Sequence, residues 1–214
     1  AVIFDSARKN FRNEIYKDYK ANRSDAPDDL IPQFDFIRKS VLAFNLPSIE
    51  MLNYEADDLI ATYVDQILKI GAKVTIVSSD KDLMQLYKKG VRIYDPMKNK
   101  FIKEEDVQDK FGVTSDKVID VQSLAGDSSD NVPGVPGIGV KTAAELINKY
   151  GNLENLLQKA TEIKQNKRRE TILENKEKAL ISKKLVTLKK DVPVKERLEN
   201  FILKEVDKDK LFNF

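Results

Sequence analysis

Residues 55–80 read EADDLIATYVDQILKIGAKVTIVSSD, and this stretch decides the fold. Leu59, Ile60, Tyr63, Val64, Ile67 and Leu68 recur at helical spacing and form one apolar stripe over 55–70. Gly71 follows where a helix C-terminus favours glycine. Lys73–Val77 is then a β-branched run, a strand, ending in Ser78-Ser79-Asp80. A helix feeding a strand that ends on a carboxylate is one unit of an α/β layer.

Working outward, the same alternation recurs. Val2–Asp5 is a strand, again closed by an acid. Leu30–Phe44 places Ile31, Phe34, Ile37, Val41 and Leu42 at helical spacing and starts near Pro32. Ile49–Met51 is a short strand. Leu83–Tyr87 is a short helix, Val91–Asp95 and Lys100–Ile102 a strand pair, and Val107–Phe111 and Lys117–Ala125 short helices. Residues 1–125 therefore predict an α/β domain with a mostly parallel sheet and flanking helices. From residue 126 to 214 the pattern is helical, with helices over 142–150, 153–158, 167–175 and 176–188 before Pro193 breaks it.

Composition narrows the chemistry. The 214 residues contain no cysteine and no histidine. Disulfides, thiol catalysis, Ser-His-Asp machinery and histidine-ligated metals are excluded. Acid–base or metal chemistry must run on carboxylates, lysines or tyrosines. No apolar run reaches the roughly 18 residues that span a bilayer, and lack of cysteine suits a cytoplasmic setting. The overall charge of +2 hides an asymmetry: residues 1–133 hold 19 basic and 23 acidic residues, whereas residues 134–214 hold 18 and 12. A basic half points towards a polyanionic partner. The bare strand at Ala1-Val2-Ile3-Phe4 and the apolar stop at Leu211-Phe212-Asn213-Phe214 read as the edges of an internal piece of a longer chain.

Acids gather at positions where α/β sheets bind ligands, the carboxyl ends of strands and the starts of helices. Asp5 and Asp80, with Asp82 behind it, end strands. Glu55, Asp57 and Asp58 open a helix, and Asp127 and Asp130 sit in Gly126-Asp127-Ser128-Ser129-Asp130-Asn131. Taken singly, each acid also reads as a helix cap or a turn former. Taken together, eight like charges in one place require cations between them. Hard oxygen donors without histidine or sulfur favour two Mg²⁺ or Mn²⁺ ions, the arrangement that cleaves phosphodiesters in line.

Two further segments carry chemistry. Pro136-Gly137-Ile138-Gly139 runs into Lys141 and Thr142. There glycines permit close backbone approach, Ile138 plugs into the core, and a helix start offers N–H groups to a phosphate. An ordinary glycine turn is the plainer reading. The spacing fails the phosphate-binding loop of nucleotide hydrolases at its first glycine. Phe11-Arg12-Asn13-Glu14-Ile15-Tyr16-Lys17-Asp18-Tyr19-Lys20-Ala21-Asn22-Arg23 interleaves basic and aromatic residues. Tyrosines can stack on bases, lysine and arginine can grip phosphate, and Lys20 and Arg23 share a face if helical. A solvated amphipathic helix fits equally.

Four features occur in order: Phe4-Asp5 with Phe11-Arg12 and Tyr19-Lys20-Ala21-Asn22-Arg23; Tyr54-Glu55-Ala56-Asp57-Asp58; Ser79-Asp80-Lys81-Asp82-Leu83; and Gly126-Asp127-Ser128-Ser129-Asp130-Asn131-Val132-Pro133-Gly134 leading to Gly137-Ile138-Gly139 and Lys141-Thr142-Ala143. Together they resemble the 5′-3′ exonuclease (flap endonuclease-type) domain of bacterial DNA polymerase I. The resemblance implies a PIN-like α/β core and a helical region with a helix-hairpin-helix-type (helix-three-turn-helix) DNA clamp. It implies a structure-selective nuclease that removes RNA primers and 5′ flaps from DNA in lagging-strand maturation and repair, working on flapped, nicked or gapped duplex as a monomer in the cytoplasm, at the nucleoid.

By that likeness Asp5, Glu55, Asp57, Asp58, Asp80, Asp82, Asp127 and Asp130 hold two Mg²⁺ or Mn²⁺ ions. Lys20 and Arg23 steer the scissile phosphate. Arg12, Tyr16 and Tyr19 contact DNA, and Gly134, Gly137, Ile138, Gly139, Lys141 and Thr142 form the duplex-holding hairpin, which can take K⁺ on backbone carbonyls. The family also has a further strand bearing one more metal-binding Asp, which the resemblance places before Ala1. The competing readings are a free-standing exonuclease, a non-catalytic DNA-binding module, and an RNA-cleaving PIN nuclease that leaves the hairpin without a job.

Overall fold

Three isoleucines lie side by side at the centre of the larger sheet: Ile76 opposite Ile93, and Ile93 opposite Ile102. All three are buried. A computed structural model describes residues 1–213 of the chain; Phe214, the last residue of the expected helical region, lies outside them. In chain order the elements are β1 (Val2–Ile3), α1 (Arg12–Ile15), α2 (Gln33–Ala43), β2 (Ser48–Ile49), α3 (Ala56–Lys69), β3 (Val74–Val77), β4 (Val91–Asp95), β5 (Lys100–Ile102), α4 (Glu104–Phe111), α5 (Val118–Ala125), α6 (Val140–Tyr150), α7 (Leu153–Gln158), α8 (Asn166–Glu174), α9 (Lys176–Val186) and α10 (Lys208–Phe212).

The strands form two small sheets among the described residues. β1 pairs in parallel with β2, while β3 pairs in parallel with β4 and β5 adds antiparallel at the edge. An apolar cleft of about 460 Å³ runs between β1 and β3, floored by α3 through Ile60, Tyr63, Val64 and Ile67. The expected mostly parallel character holds, with the sheet in two parts. α3 lies under both parts because its apolar stripe is wide enough to serve two neighbours. Ala61 and Val64 enter the main core, whereas Leu59 and Tyr63 pack with Ile49 and Val192. Gly71, with φ +76°, turns the chain from α3 towards β3.

The main core continues without a break from Ala61 to Leu188, so the helical region is built onto the α/β layer rather than tethered to it. Ile138 is buried in that core, as its place between two glycines predicts. α5 is the shared element: Val118, Val121 and Leu124 are all fully buried, and α5 packs against both α6 and α9.

Three expectations shift. The segment 83–87 forms a 3₁₀ turn over Asp82–Leu86 instead of a helix. Within 8–23 only Arg12–Ile15 is helical, and Lys20 adopts φ +56°. Lys20 and Arg23 therefore do not share a helix face. The apolar stripe expected over 30–44 is largely open: Ile31, ahead of α2, and Phe34, Ile37 and Leu42 within it are exposed, and Val41 and Ala43 are the residues of α2 that face inward. Among the described residues no helix is long and apolar enough to cross a membrane.

Candidate active site

The acids follow the ends of β1 and β3, one strand from each sheet, and the start of α3, which packs on both. Asp5 lies two residues beyond β1, and its Oδ1 accepts a hydrogen bond from the Ala56 amide (2.7 Å) at the start of α3. Glu55 is the N-cap of α3 and Asp57 lies in its first turn. Asp80 and Asp82 follow β3, and Asp80 Oδ1 accepts from the Asp82 amide (2.9 Å). Asp127 and Asp130 come from the turn after α5, closed by paired backbone bonds between Asp127 and Val132 (3.0 and 2.8 Å). That turn is tight because two glycines meet: a Cβ on Gly134 would lie 2.4 Å from the Gly126 nitrogen.

Glu55, Asp57, Asp80, Asp82, Asp127 and Asp130 line one cavity of about 380 Å³, with Tyr19, Lys20, Arg23 and Lys81 on its walls. Asp5 stands beside it, near enough to act on Asp57. Six of the eight acids picked out in the sequence thus meet, drawn from stretches as far apart as residues 55 and 130.

The acids fall into two banks. In the first, every carboxylate has a cation. Lys20 Nζ lies 2.5 Å from Glu55 and 3.5 Å from Asp130, Arg23 bonds Asp130, and Lys81 lies 2.5 Å from Asp127. Asn10 Nδ2 also donates to Glu55 (2.8 Å), and the buried Tyr19 hydroxyl donates towards Glu55 and Asp130. Burial, then the charge of Glu55, holds the Tyr19 phenol far above its ordinary pKa, so it stays a donor. Burial pulls the Lys20 ammonium down, but Glu55 and Asp130 outweigh it and raise its pKa.

The second bank is Asp5, Asp57, Asp80 and Asp82. Burial, then repulsion from Asp80, Glu55, Asp82 and Asp5, pushes the Asp57 carboxyl up to about 8. Burial raises Asp82 to about 6, against the pull of a hydrogen bond from Gln122. This is unbalanced negative charge. Among the described residues no three acids crowd a single point closely enough to cage an ion.

Several expected site residues take other roles. Asp58 is fully buried, and both its oxygens are used: Arg12 donates to it twice (2.6 and 2.8 Å), and the Lys189 and Glu55 amides once each (2.9 and 3.2 Å). No lone pair is left for a metal. Arg12, 1 % exposed, also donates to the Leu185 carbonyl (2.7 Å) and the Thr187 carbonyl (3.2 Å), so it ties α1 to α3 and to the end of α9 and does not reach outward to DNA. The Tyr19 ring is buried and cannot stack on a base. Tyr16, partly open, packs against the same cluster of Tyr19, Val132 and Leu185. Gly134 faces the Gly126 backbone, and its amide donates to Ser182 Oγ (2.9 Å); its task is close packing, not DNA contact. The Ile138 side chain anchors the hairpin from within.

The outer hairpin residues do face solvent. Gly137 (φ +73°) and Gly139 have open space where a Cβ would stand, and Gly139 is the N-cap of α6. Lys141 is exposed and Thr142 partly so. Sequence reasoning missed Asn10, Lys81 and Gln122. Lys81 carried a signal in its place between Asp80 and Asp82; the two amides carried none.

A resolvase-like α/β layer with an acidic cavity at its strand ends, joined to a helical region through a glycine hairpin, defines a nuclease class. Residues 1–112 match the family model of the 5′-3′ exonuclease N-terminal resolvase-like domain, and residues 113–209 that of the 5′-3′ exonuclease C-terminal SAM fold. The chain belongs to the 5′-3′ exonuclease family, whose members are nucleases and include the corresponding part of DNA polymerase I.

Among its relatives, DNA polymerase I of Rhizobium leguminosarum is 56 % identical over 214 residues, which is 100 % of this chain and 21 % of that protein. The 5′-3′ exonuclease of Buchnera aphidicola is 40 % identical over 210 residues, 95 % of this chain and 73 % of that protein. The chain thus spans about a fifth of the polymerase and nearly three quarters of the exonuclease. The fold is similar to that of T5 5′-exonuclease (TM-score 0.77, 23 % identity, 86 % of this chain and 72 % of that one). It is similar too to the catalytic core of Rad2 (TM-score 0.63, 20 % identity, 99 % and 71 %).

Proposed function

We propose that this chain is the nuclease part of a structure-selective 5′-3′ exonuclease and 5′-flap endonuclease that hydrolyses phosphodiesters with two divalent ions, Mg²⁺ or Mn²⁺. The observation that carries this reading is the single cavity in which one bank of acids is neutralised by side-chain cations and the other is not. The second bank fits hard cations. Its donors are all oxygen, and burial together with the charges of Asp80, Glu55, Asp82 and Asp5 pushes the Asp57 carboxyl up to about 8, a strain that a cation would relieve. Mg²⁺ retains several waters and takes only one or two carboxylates directly, so separated acids suit it better than a closed cage. Asp57, Asp80 and Asp82 would hold the ions with Asp5, and Glu55, Asp127 and Asp130 would reach them directly or through water. Bound there, they supply an activated water and stabilise the leaving 3′ oxygen.

The chain's own groups do the rest. Lys20 and Arg23 put positive charge at the lip of the cavity, where the phosphoryl oxygens of a substrate gain charge. Lys20 holds its place through an uncommon left-handed backbone and a hydrogen bond that its backbone N–H donates to the Asp130 carbonyl (2.9 Å). Gly137, Gly139, Lys141 and Thr142 hold duplex DNA by its backbone, without reading sequence, and the hairpin carbonyls offer a place for K⁺. Solved structures of similar fold include T5 5′-exonuclease with bound zinc and the Rad2 core with a DNA substrate, which supports both metal and DNA as ligands here. The parent protein is a DNA polymerase I acting on primers and flaps in replication and repair, in the cytoplasm and as a monomer. The length of the exonuclease relative keeps a free-standing enzyme as the second reading.

The test is cleavage of a 5′-flap duplex by the full-length protein in Mg²⁺, with a chelator as control. Cleavage that survives chelation, or none with Mg²⁺ on flapped, nicked and gapped duplexes alike, overturns the proposal.

A further inference from the structure

Among the described residues, Gln122 Oε1 is the one buried side-chain polar atom without a hydrogen-bond partner. Gln122 lies on α5, 3 % exposed, one turn after the fully buried Val118 on the same face. A residue selected for packing alone would be apolar there. The amide pays a desolvation penalty on its oxygen side and recovers nothing. Its nitrogen side explains the choice: Nε2 donates to Asp82 Oδ1 at 2.6 Å. The Asp82 amide in turn donates to Asp80 Oδ1 at 2.9 Å. One side chain of α5 therefore reaches Asp82, an acid of the bank without cations, and Asp82 is tied to Asp80 separately, through its own backbone amide.

The kind of donor matters. Across the cavity, Glu55, Asp127 and Asp130 are oriented by lysine and arginine, which fix a carboxylate and cancel its charge at once. A neutral amide fixes a carboxylate and leaves its charge in place. We propose that Gln122 is a positioning residue: it aims the Asp82 carboxylate into the cavity with its charge uncancelled, at the expense of fold stability. The inference rests on the metal-dependent reading above.

The experiment is Mn²⁺ titration of the full-length protein, followed by the electron paramagnetic resonance of the free ion, with thermal unfolding in parallel. Asp80→Asn identifies the Mn²⁺ sites that belong to this cavity. In Gln122→Leu those sites should weaken by about tenfold or more, the range for removing a group that orients a ligand, while the melting temperature in chelator stays level or rises. Gln122→Met keeps the unbranched shape and should behave alike; it decides the matter if the leucine variant does not fold. Unchanged Mn²⁺ affinity in a folded variant, with Asp80→Asn still weakening it, overturns the role of Gln122 alone. Affinity and stability falling together make Gln122 an ordinary structural residue and overturn it too. Mn²⁺ binding indifferent to Asp80→Asn removes the metal reading and this inference with it.

Discussion

The two banks of the acidic cavity use one residue type for opposite ends. Glu55, Asp127 and Asp130 face Lys20, Arg23 and Lys81 and are electrostatically settled. Among the described residues Asp5, Asp57, Asp80 and Asp82 have no such partners, and burial, with the charge of neighbouring acids added to it, raises the carboxyls of Asp57 and Asp82. A carboxylate paired at birth supports the frame; one left unpaired waits for a cation from outside. Asp58 marks the limit of the first kind. It is buried, bonded to Arg12 on both oxygens, and does not line the cavity.

The sharpest way to break this comparison is to remove an unpaired acid. Asp80→Asn should lower flap cleavage by about a thousandfold, the upper end of what one preorganised polar group contributes, with duplex affinity unchanged in a gel-shift assay. Near-normal turnover would put the chemistry in the wrong bank.

Next in size is the buried pair beside the cavity. Arg12→Ala leaves Asp58 charged and dry, and should cost about 3–5 kcal/mol in urea unfolding. Arg12→Met combined with Asp58→Leu should recover most of that loss, because two apolar groups need no partner. If the single variant is as stable as the parent, the pair does not hold α1, α3 and the end of α9 together.

The unpaired bank also predicts a pH effect of definite sign. The folded-state pKa of Asp57 lies far above that of an unfolded aspartate, so the folded chain holds the proton more tightly. Stability contributed by that proton is complete below about pH 4, falls as pH rises, and is lost above about pH 8. In chelator, Asp57→Asn should therefore raise the melting temperature at pH 8 by several degrees, since about 1 kcal/mol shifts a chain of this size by ~2–4 °C. The gain should shrink through pH 6 and vanish near pH 4. A gain independent of pH would mean that Asp57 is not strained by its neighbours.

These cases show what the sequence made legible. The helices of the α/β layer and of the helical region carry their apolar stripes openly, and the strand pair over 91–102 lies where β-branched residues and the turn at Pro96 put it. The convergence of acids was readable because strand ends and helix starts are fixed points of such a layer. Their division of labour was not. Asp57 and Asp58 are chain neighbours turned about 100° apart around α3. Only the packing of α1 and the end of α9 over one side decides that Asp58 meets Arg12 and Asp57 meets the cavity. Tyr19 and Arg12 read as outward-facing for the same reason: their partners lie at Glu55, Asp58, Leu185 and Thr187, beyond any local window. Gln122 gave no sign, since a lone amide within a helix has no motif of its own.

The smallest effect probes the hairpin and the start of α6, where a basic side chain meets solvent. Lys141 is exposed in the first turn of α6, after a hairpin whose Gly137 and Gly139 have no atom near a would-be Cβ. A lysine placed there acts on a phosphate as a point charge and releases counterions on binding. Lys141→Ala should thus weaken duplex affinity a few-fold at low salt, equally for all sequences, and lower the slope of log affinity against log salt by about one. Cleavage at saturating duplex should be unchanged, because Lys141 does not line the acidic cavity. An unaltered slope would leave the hairpin as a packing device built around Ile138. A slope reduced together with saturated turnover would instead couple the hairpin to the acids through α5, the helix both regions share.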